Sequence, residues 1–387
     1  MNGGRGRREN FDPGATVVIA GSGGLIGSHL VDDLARMREI VRLVLVDGDA
    51  YESHNIEGQL IDWSMICRPK VEAQAERIRR INPTVAVETW AMPLAEVPLG
   101  RLRADVIVSC LDSRRPRLEL NRRALALGIR LVDTGVDGPG RQWQVGVFDP
   151  RDGGPCLACG WDDRDHALVE QVSSCSADRG PAPTNAPAAL GAMVGGYAAL
   201  RIRRLLGLDV AEGRVAGLQH RMMAADGVLR TVRHVRAAGC RADHAPLSIE
   251  RLEAGPTELT PAEALALGGG AVGGVPVLQV FDRSFHVRLG CIDCGRGEPA
   301  VGLYAEHAPP TGVCPHCGGM TFASGADLRE ELHAGLLDET ALARPLADLG
   351  LRPGEVIRVV HGDRERWYEL SGEAAVRRPL AATGGVA

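Results

Sequence analysis

The chain predicts a doubly wound, mostly parallel α/β sheet followed by a smaller C-terminal domain. Three observations carry this reading. Apolar strand-like runs alternate with helix-like stretches from residue 16 to about residue 136. A glycine cluster joins the first run to the first helix in "VVIAGSGGLIGSHLVDDLA". Beyond residue 276 the pattern becomes strand-rich and carries two C-x-x-C pairs. Strands that alternate with helices bury both faces of a parallel sheet and place ligands at the C-terminal strand ends.

Taken in order, "TVVIA" is a strand, "GSHLVDDLARM" a helix and "VRLVLVD" a second strand ending at Asp47. A βαβ nucleotide-binding unit places there the carboxylate that binds ribose hydroxyls. "KVEAQAERIRRI" (70–81) has helical periodicity and is stopped by "NP". "ADVIVSCLD" (104–112) is another apolar run closed by an acid, followed by the helix-like "RRPRLELNRRALALG" and the strand "IRLVDTGV". The stretch 161–186, rich in Pro, Ser and Gly, reads as a long loop, and a small-residue helix follows from about Ala188 to Leu206. The expected organisation is a first domain over 1–248, a linker over 249–276 centred on "GPTELTPAEALALGGGAVGGVP", a C-terminal domain over 277–373 and a tail over 374–387. Within the C-terminal domain, "LADLGLRPGEVIRVVHGDRERWYEL" alternates like a β-hairpin.

Composition narrows the function. A formal charge of −5 argues against a DNA-binding or membrane-surface protein. The uncharged stretches Ala188–Leu200 and Ala264–Phe281 are too short or too interrupted by glycine to span a bilayer. No charged segment leads into an apolar one at the start, so the expected location is cytoplasmic. Of 44 basic residues only one, Lys70, is a lysine, which marks a place where a compact ammonium is needed.

Six of the ten cysteines form C-x-x-C pairs, which in an unsecreted chain read as metal ligands. Cys291 and Cys294, with Cys314 and Cys317 after nineteen intervening residues, have zinc-ribbon spacing, and His316 reads as a bystander. Cys67 and Cys110 read as buried structural thiols.

The glycine loop alone fits two templates. Gly21, Gly24 and Gly27 have the spacing of short-chain dehydrogenases, whereas Gly21, Gly23 and Gly24 open as "GxGG". Both would set phosphates against backbone N–H groups at a helix N-terminus. Downstream residues decide. "LVDGDAYESHNIEGQ…CRPKVEAQAERIRRINPTVAVET", "VIVSCLDSRRPRLELN" and "GPCLACG", in that order over about residues 16–245, resemble the ThiF/MoeB/HesA family, bacterial relatives of ubiquitin-activating enzymes. No tyrosine has the lysine four positions on that a short-chain dehydrogenase requires.

The resemblance implies a Rossmann-like fold and an adenylating enzyme. It would use ATP and magnesium to activate the C-terminal carboxylate of a ubiquitin-like or sulfur-carrier protein ending in Gly-Gly, and would act as a homodimer. Gly21, Gly23, Gly24, Asp47, Asn55, Gln59, Lys70 and Asp112 would hold the nucleotide. Among them Lys70 would meet the phosphates, Asn55 would orient them and Asp112 would hold magnesium. Cys175, in "SSCSADRG", occupies the place where relatives carry a thioester- or persulfide-forming cysteine. In the family, Cys156 and Cys159 share zinc with a later C-x-x-C; here the later partners are Cys240 and His244, with Asp243 as a rival ligand or no metal at all. Two positions depart from the pattern: Gly58 replaces the family arginine and Ser113 an asparagine. Arg5, Arg7, Arg8, Arg114 and Arg115 are the candidate substitutes. A peptide- or tRNA-modifying relative, or a scaffold that binds a partner through its zinc ribbon, are the alternatives.

Overall fold

Residues 14–137, 142–170, 186–209, 216–223, 225–268, 274–305 and 312–372 are described by the computed structural model. Contacts divide the chain into two units, one of residues 1–94 and 102–246, the other of residues 95–101 and 247–387.

The first unit follows the expected alternation. β1 (Ala15–Ala20) is buried almost throughout and leads into α1 (Gly27–Ala35) and β2 (Ile40–Val46). α2 (Lys70–Ile81) starts behind Pro69 and stops at Asn82, whose N–H donates to the Ile78 carbonyl. β3 (Ala86–Trp90), β4 (Val106–Ser109), α3 (Arg114–Leu127) and β5 (Arg130–Val136) complete a parallel set. The strand order is β3-β2-β1-β4-β5, continued by β6 (Gln142–Phe148), β7 (Leu218–Met223) and β8 (Leu229–Arg233), which run antiparallel. β1 pairs with β2 on one side and β4 on the other, Val17 lying between Leu43 and Val106. The chain therefore reverses its direction of winding between β1 and β4, and a crevice opens there at the C-terminal strand ends.

α5 (Ala188–Leu205) covers this sheet and packs along α1. Its small residues are what permit the approach: a Cβ on Gly191 would stand 2.4 Å from the Leu25 carbonyl oxygen. Part of the expected loop over 161–186 is in fact helical, as α4 (Asp163–Glu170). Asp162 and Asp165 cap its start reciprocally, each side chain accepting from the other's backbone N–H at 2.9 and 3.3 Å.

The second unit has its own core, with Leu278, Phe285, Leu332, Leu346 and Ile357 fully buried. One five-stranded sheet runs in the order 332–333, 277–280, 356–361, 364–369, 249–251. The predicted hairpin is its centre, with Val356 opposite Glu369 and His361 opposite Arg364. A second sheet pairs Phe285–Cys291 with Gly297–Leu303 and Met320–Phe322. The linker expected over 249–276 is corrected by these contacts. Ile249–Arg251 is a strand beside Trp367–Glu369, and Pro261–Ala266 is a helix that buries Ala264 and Leu265. The cause is a capping box, Thr260 and Glu263 each accepting from the other's N–H, just ahead of apolar residues. Among the described residues no helix is long and apolar enough to cross a membrane.

Candidate active site and metal clusters

The glycine loop is shaped by what presses on it. At the end of β1, Gly21 adopts φ +78°, and a Cβ there would stand 2.5 Å from the Cys110 carbonyl oxygen. A side chain at 21 would thus strain the backbone and push away the segment that follows β4. The N–H groups of Gly21 and Ser22 both reach the Val46 carbonyl, at 2.8 and 3.3 Å. Next, the Gly23 N–H donates to Asp47 Oδ2 at 2.9 Å, and the Asp49 N–H to Asp47 Oδ1 at 3.1 Å. Burial pushes the Asp47 carboxyl above the usual carboxylate range, opposed by the Lys70 charge and these two N–H groups.

Lys70 is 7% exposed, unlike a solvated helix start. Its stem crosses Gly23 so closely that a Cβ there would meet the Lys70 Cβ at 2.4 Å. The ammonium donates to Asp49 Oδ2 at 2.9 Å and sits 5.9 Å from the centre of the Tyr51 ring. Tyr51 is buried, accepts from Gln74 Nε2 at 2.6 Å, and has its phenol pushed upward by burial. The Asp49 side chain is 73% exposed. A buried ammonium whose counter-charge lies in solvent can exchange that partner for an incoming anion.

The structure thus brings Gly21, Gly23, Gly24, Asp47 and Lys70 into one contact group, with the Gly24 N–H donating to the Gly21 carbonyl at 3.2 Å. Asp112 stands exposed three residues past β4, on the segment whose Cys110 carbonyl touches Gly21. Asn55 lies in the 3-10 turn Ser53–Glu57, where its amide oxygen accepts from the Glu52 N–H at 2.9 Å. Gln59 is half-buried, and its buried side-chain oxygen has no partner. Among the described residues no hydrogen bond or ion pair joins Asn55, Gln59 or Asp112 to the loop's side chains. The position of the family arginine is narrow, since a Cβ on Gly58 would lie 3.3 Å from the Ala186 carbonyl oxygen. Cys175, Arg5, Arg7 and Arg8 lie outside the described residues. Arg114 is already paired with Asp165 at 3.1 Å, and Arg115 is exposed.

Two groups at this end of the sheet were not anticipated from sequence. Asp133, on β5, is fully buried, and burial raises its carboxyl above the usual range. Arg117, on α3, donates to the Leu111 carbonyl at 2.8 Å and to Asp133 Oδ2 at 3.4 Å, tying the Asp112 segment to the sheet. Their separation of sixteen residues across a helix leaves no local signal. Asp49 was legible as an acid two residues beyond Asp47, which is a weak sign. Cys110 is half-buried against the apolar core, and burial pushes its thiol up to about 12. Cys67, expected to be buried, is exposed instead, with φ 64°, in the turn ahead of Pro69.

Two groups of four ligand atoms each lie within 4.8 Å of one another. One is Cys156, Cys159, Cys240 and His244. Its sulfurs are 3.9 Å (Cys156–Cys159) and 3.7 Å (Cys156–Cys240) apart, and Cys159 Sγ is 3.5 Å from His244 Nε2. Asp243 is not in it. The other is Cys291, Cys294, Cys314 and Cys317, with Sγ–Sγ distances of 3.5 and 3.7 Å. His316 instead pairs with Glu298 at 2.6 Å. Thiolates on a tetrahedron around zinc, each about 2.3 Å from the metal, stand about 3.8 Å apart. Disulfide sulfurs stand at about 2.05 Å. Both donor sets therefore fit zinc and exclude a disulfide in this state.

A family model for ThiF matches residues 14–244, more than half the chain and the whole of the loop, lysine and first ligand cluster. The chain belongs to the ThiF family. Similar curated proteins include the molybdopterin-synthase adenylyltransferase of Escherichia coli K12, 31% identical over 146 residues. That match covers 37% of this chain and 57% of the relative. The sulfur carrier protein ThiS adenylyltransferase of the same organism is 31% identical over 150 residues, 38% of this chain and 58% of the relative. The rice ubiquitin-like modifier-activating enzyme 5 is 26% identical over 159 residues, 37% of each chain. The ThiF-family chain thus spans less than two thirds of these relatives' lengths. Among solved structures, Escherichia coli MccB with succinimide superposes at a TM-score of 0.48 and 18% identity, over 59% of this chain and 66% of that one.

Proposed function

We propose that this ThiF-family protein adenylates the C-terminal carboxylate of a ubiquitin-like or sulfur-carrier protein, in the cytoplasm and as a homodimer. The relatives' names supply the reaction class, and one observation in this chain carries it. The only lysine is buried across the glycine loop, beside an acid held by one loop N–H group, that of Gly23, and by the Asp49 N–H.

The carrier carboxylate oxygen would form a bond to the α-phosphorus of ATP while the α–β anhydride bond breaks and pyrophosphate leaves. A carboxylate and a triphosphate repel each other, so catalysis is mainly alignment and charge neutralisation. Lys70 supplies the fixed cation, released from Asp49 as the phosphates arrive. The N–H groups of residues 21–24 are spent inside the fold, so those at the start of α1 beyond them face phosphate oxygens, and Asp47 accepts from the ribose hydroxyls. Asn55 and Gln59 orient the phosphates. Asp112, an exposed carboxylate in no ion pair among the described residues, offers oxygen ligands of the kind magnesium takes, and the metal would supply charge neutralisation at the phosphates. In a second step the Cys175 sulfur would bond to the acyl carbon as AMP leaves and the thiol proton passes to solvent, giving a thioester. The two ligand clusters would hold zinc structurally.

Gly58 and Ser113 in place of the family's arginine and asparagine favour one alternative, a ThiF-like scaffold without turnover. Exchange of radiolabelled pyrophosphate into ATP, measured with carrier proteins ending in Gly-Gly, separates the two. Carrier-dependent exchange that disappears in Asp112→Ala is the expected result. Absence of exchange with every carrier, alongside tight carrier binding, would establish the scaffold.

A further inference from the structure

Away from the glycine loop, the face that α5 presents to β6 and β7 gathers hydrogen-bond donors without acceptors. Arg201, on α5, is 8% exposed, and its Nε and Nη2 atoms have no hydrogen-bond partner among the described residues. His220, on β7, has a buried Nε2 that is equally unpartnered among the described residues, and the buried indole Nε1 of Trp143, on β6, is a fourth such atom. The three side chains belong to one neighbourhood. The Tyr197 ring, one helical turn before Arg201, lies 5.3 Å from that of Trp143 and 5.6 Å from that of His220. Arg201 and Arg204 both act electrostatically on His220. Among the described residues, the charges that bear on Arg201 are Arg204, a second cation, and the phenol of Tyr197, with no carboxylate.

Such a group is costly as it stands. Burying a guanidinium without a counter-charge forfeits its hydration with no Coulombic return. Buried Arg283, by contrast, is paired with Glu355 at 3.0 Å. Guanidinium and indole N–H groups can only donate, and a neutral imidazole turned to donate from Nε2 joins them. What completes the set must therefore be an acceptor on all sides and negatively charged. An oxyanion meets both requirements, since its oxygens accept several N–H bonds and a guanidinium fork matches it in the plane.

We propose that Arg201, His220 and Trp143 form an oxyanion-binding site, separate from the glycine loop, for the phosphate or carboxylate group of a small molecule. Arg201 makes the direct charge-assisted contact, His220 donates from Nε2, and Arg204 adds long-range attraction. The site does not depend on the adenylation reading.

Thermal unfolding of the full chain in rising inorganic phosphate, with a parallel series in succinate, tests this. Linkage requires Tm to climb with the logarithm of ligand concentration once the site is half filled. The expected result is that climb in at least one series, its persistence in Lys70→Ala, and its loss in Arg201→Met. Arg201→Met should also unfold no lower than the parent in anion-free buffer, because an uncompensated buried charge has gone. His220→Phe keeps the ring contact with Tyr197 and should shift half-saturation about tenfold upward. The phosphate series rising alone identifies a phosphate ligand, and the succinate series alone a carboxylate. A flat response in both series, a response lost in Lys70→Ala, or one unchanged in Arg201→Met would overturn the site. So would an Arg201→Met variant that alters only the oligomeric state, because the guanidinium would then face a second copy.

Discussion

The two ligand clusters use the same C-x-x-C device in opposite surroundings. Cys156 is buried against Leu125 and Ala158, and the cluster rests on α3, inside a unit that already has a thirty-residue apolar core. Cys294 and Cys317 are exposed, and around them Ile292, Val313, Met320 and Phe322 are exposed too, at 69, 74, 60 and 43%. The short strands Gly312–Val313 and Met320–Phe322 have little else to bury. In the first unit a metal would clip together parts that are already packed. In the ribbon it would stand in for a core, as small metal-bound domains commonly require.

The contrast can be broken in four ways, taken from the largest expected effect down. If the first unit alone carries the chemistry, Lys70→Ala should lower pyrophosphate exchange by roughly 100-fold or more, with an unchanged far-ultraviolet spectrum. Cys294→Ser should leave exchange intact; a comparable loss in both would erase the division of labour. Second, Cys314→Ser or a strong chelator should melt the ribbon, read as new protease cleavage within 285–322 while 14–137 stays protected. Third, His244→Ala should lower Tm by only a few degrees, corresponding to about 1–2 kcal/mol, and remove one metal ion of the two, one per cluster, that elemental analysis should find. Cooperative loss of the whole first unit would show that its cluster is no mere clip.

The smallest effect concerns pH. Asp133 has a folded-state pKa raised by burial, so the native state binds more protons than the unfolded state between the ordinary carboxylate pKa and the raised one. Its contribution therefore favours the fold at the acid side of that window and is lost as pH rises through the folded value. Asp133→Asn should flatten this part of the stability–pH curve, as measured by urea unfolding at several pH values. An identical slope in the variant would show that the carboxyl is compensated, Arg117 being the nearest partner.

Sequence made much of the first unit legible because its signals are local. Gly-rich turn, strand-end acid, "NP" stop and C-x-x-C pairs all act within a few residues of themselves. Asp47 and the six C-x-x-C cysteines are legible in that way, Lys70 as the single lysine, and Cys240 and His244 only through the family resemblance; the folded chain brings each of them to a contact group. What sequence hid was set by distance or by competition between signals. The Arg117–Asp133 contact spans a helix and a strand. The helix at 261–266 was masked by neighbouring glycines, although Thr260 and Glu263 announced it. Cys67 was read as core from its residue type, yet the turn that delivers Lys70 carries it outward. Asn55 spends its amide oxygen on a local cap, a use that spacing cannot distinguish from ligand binding.

The near-collision between position 23 and the stem of Lys70 has a practical consequence. A single added methyl, Gly23→Ala, would evict the cation from its berth without touching its codon. The dependence runs one way, since the lysine can be trimmed while Gly23 stays but no side chain fits at 23 while the lysine stays, and a survey of natural variants should find position 23 bare wherever the lysine is kept.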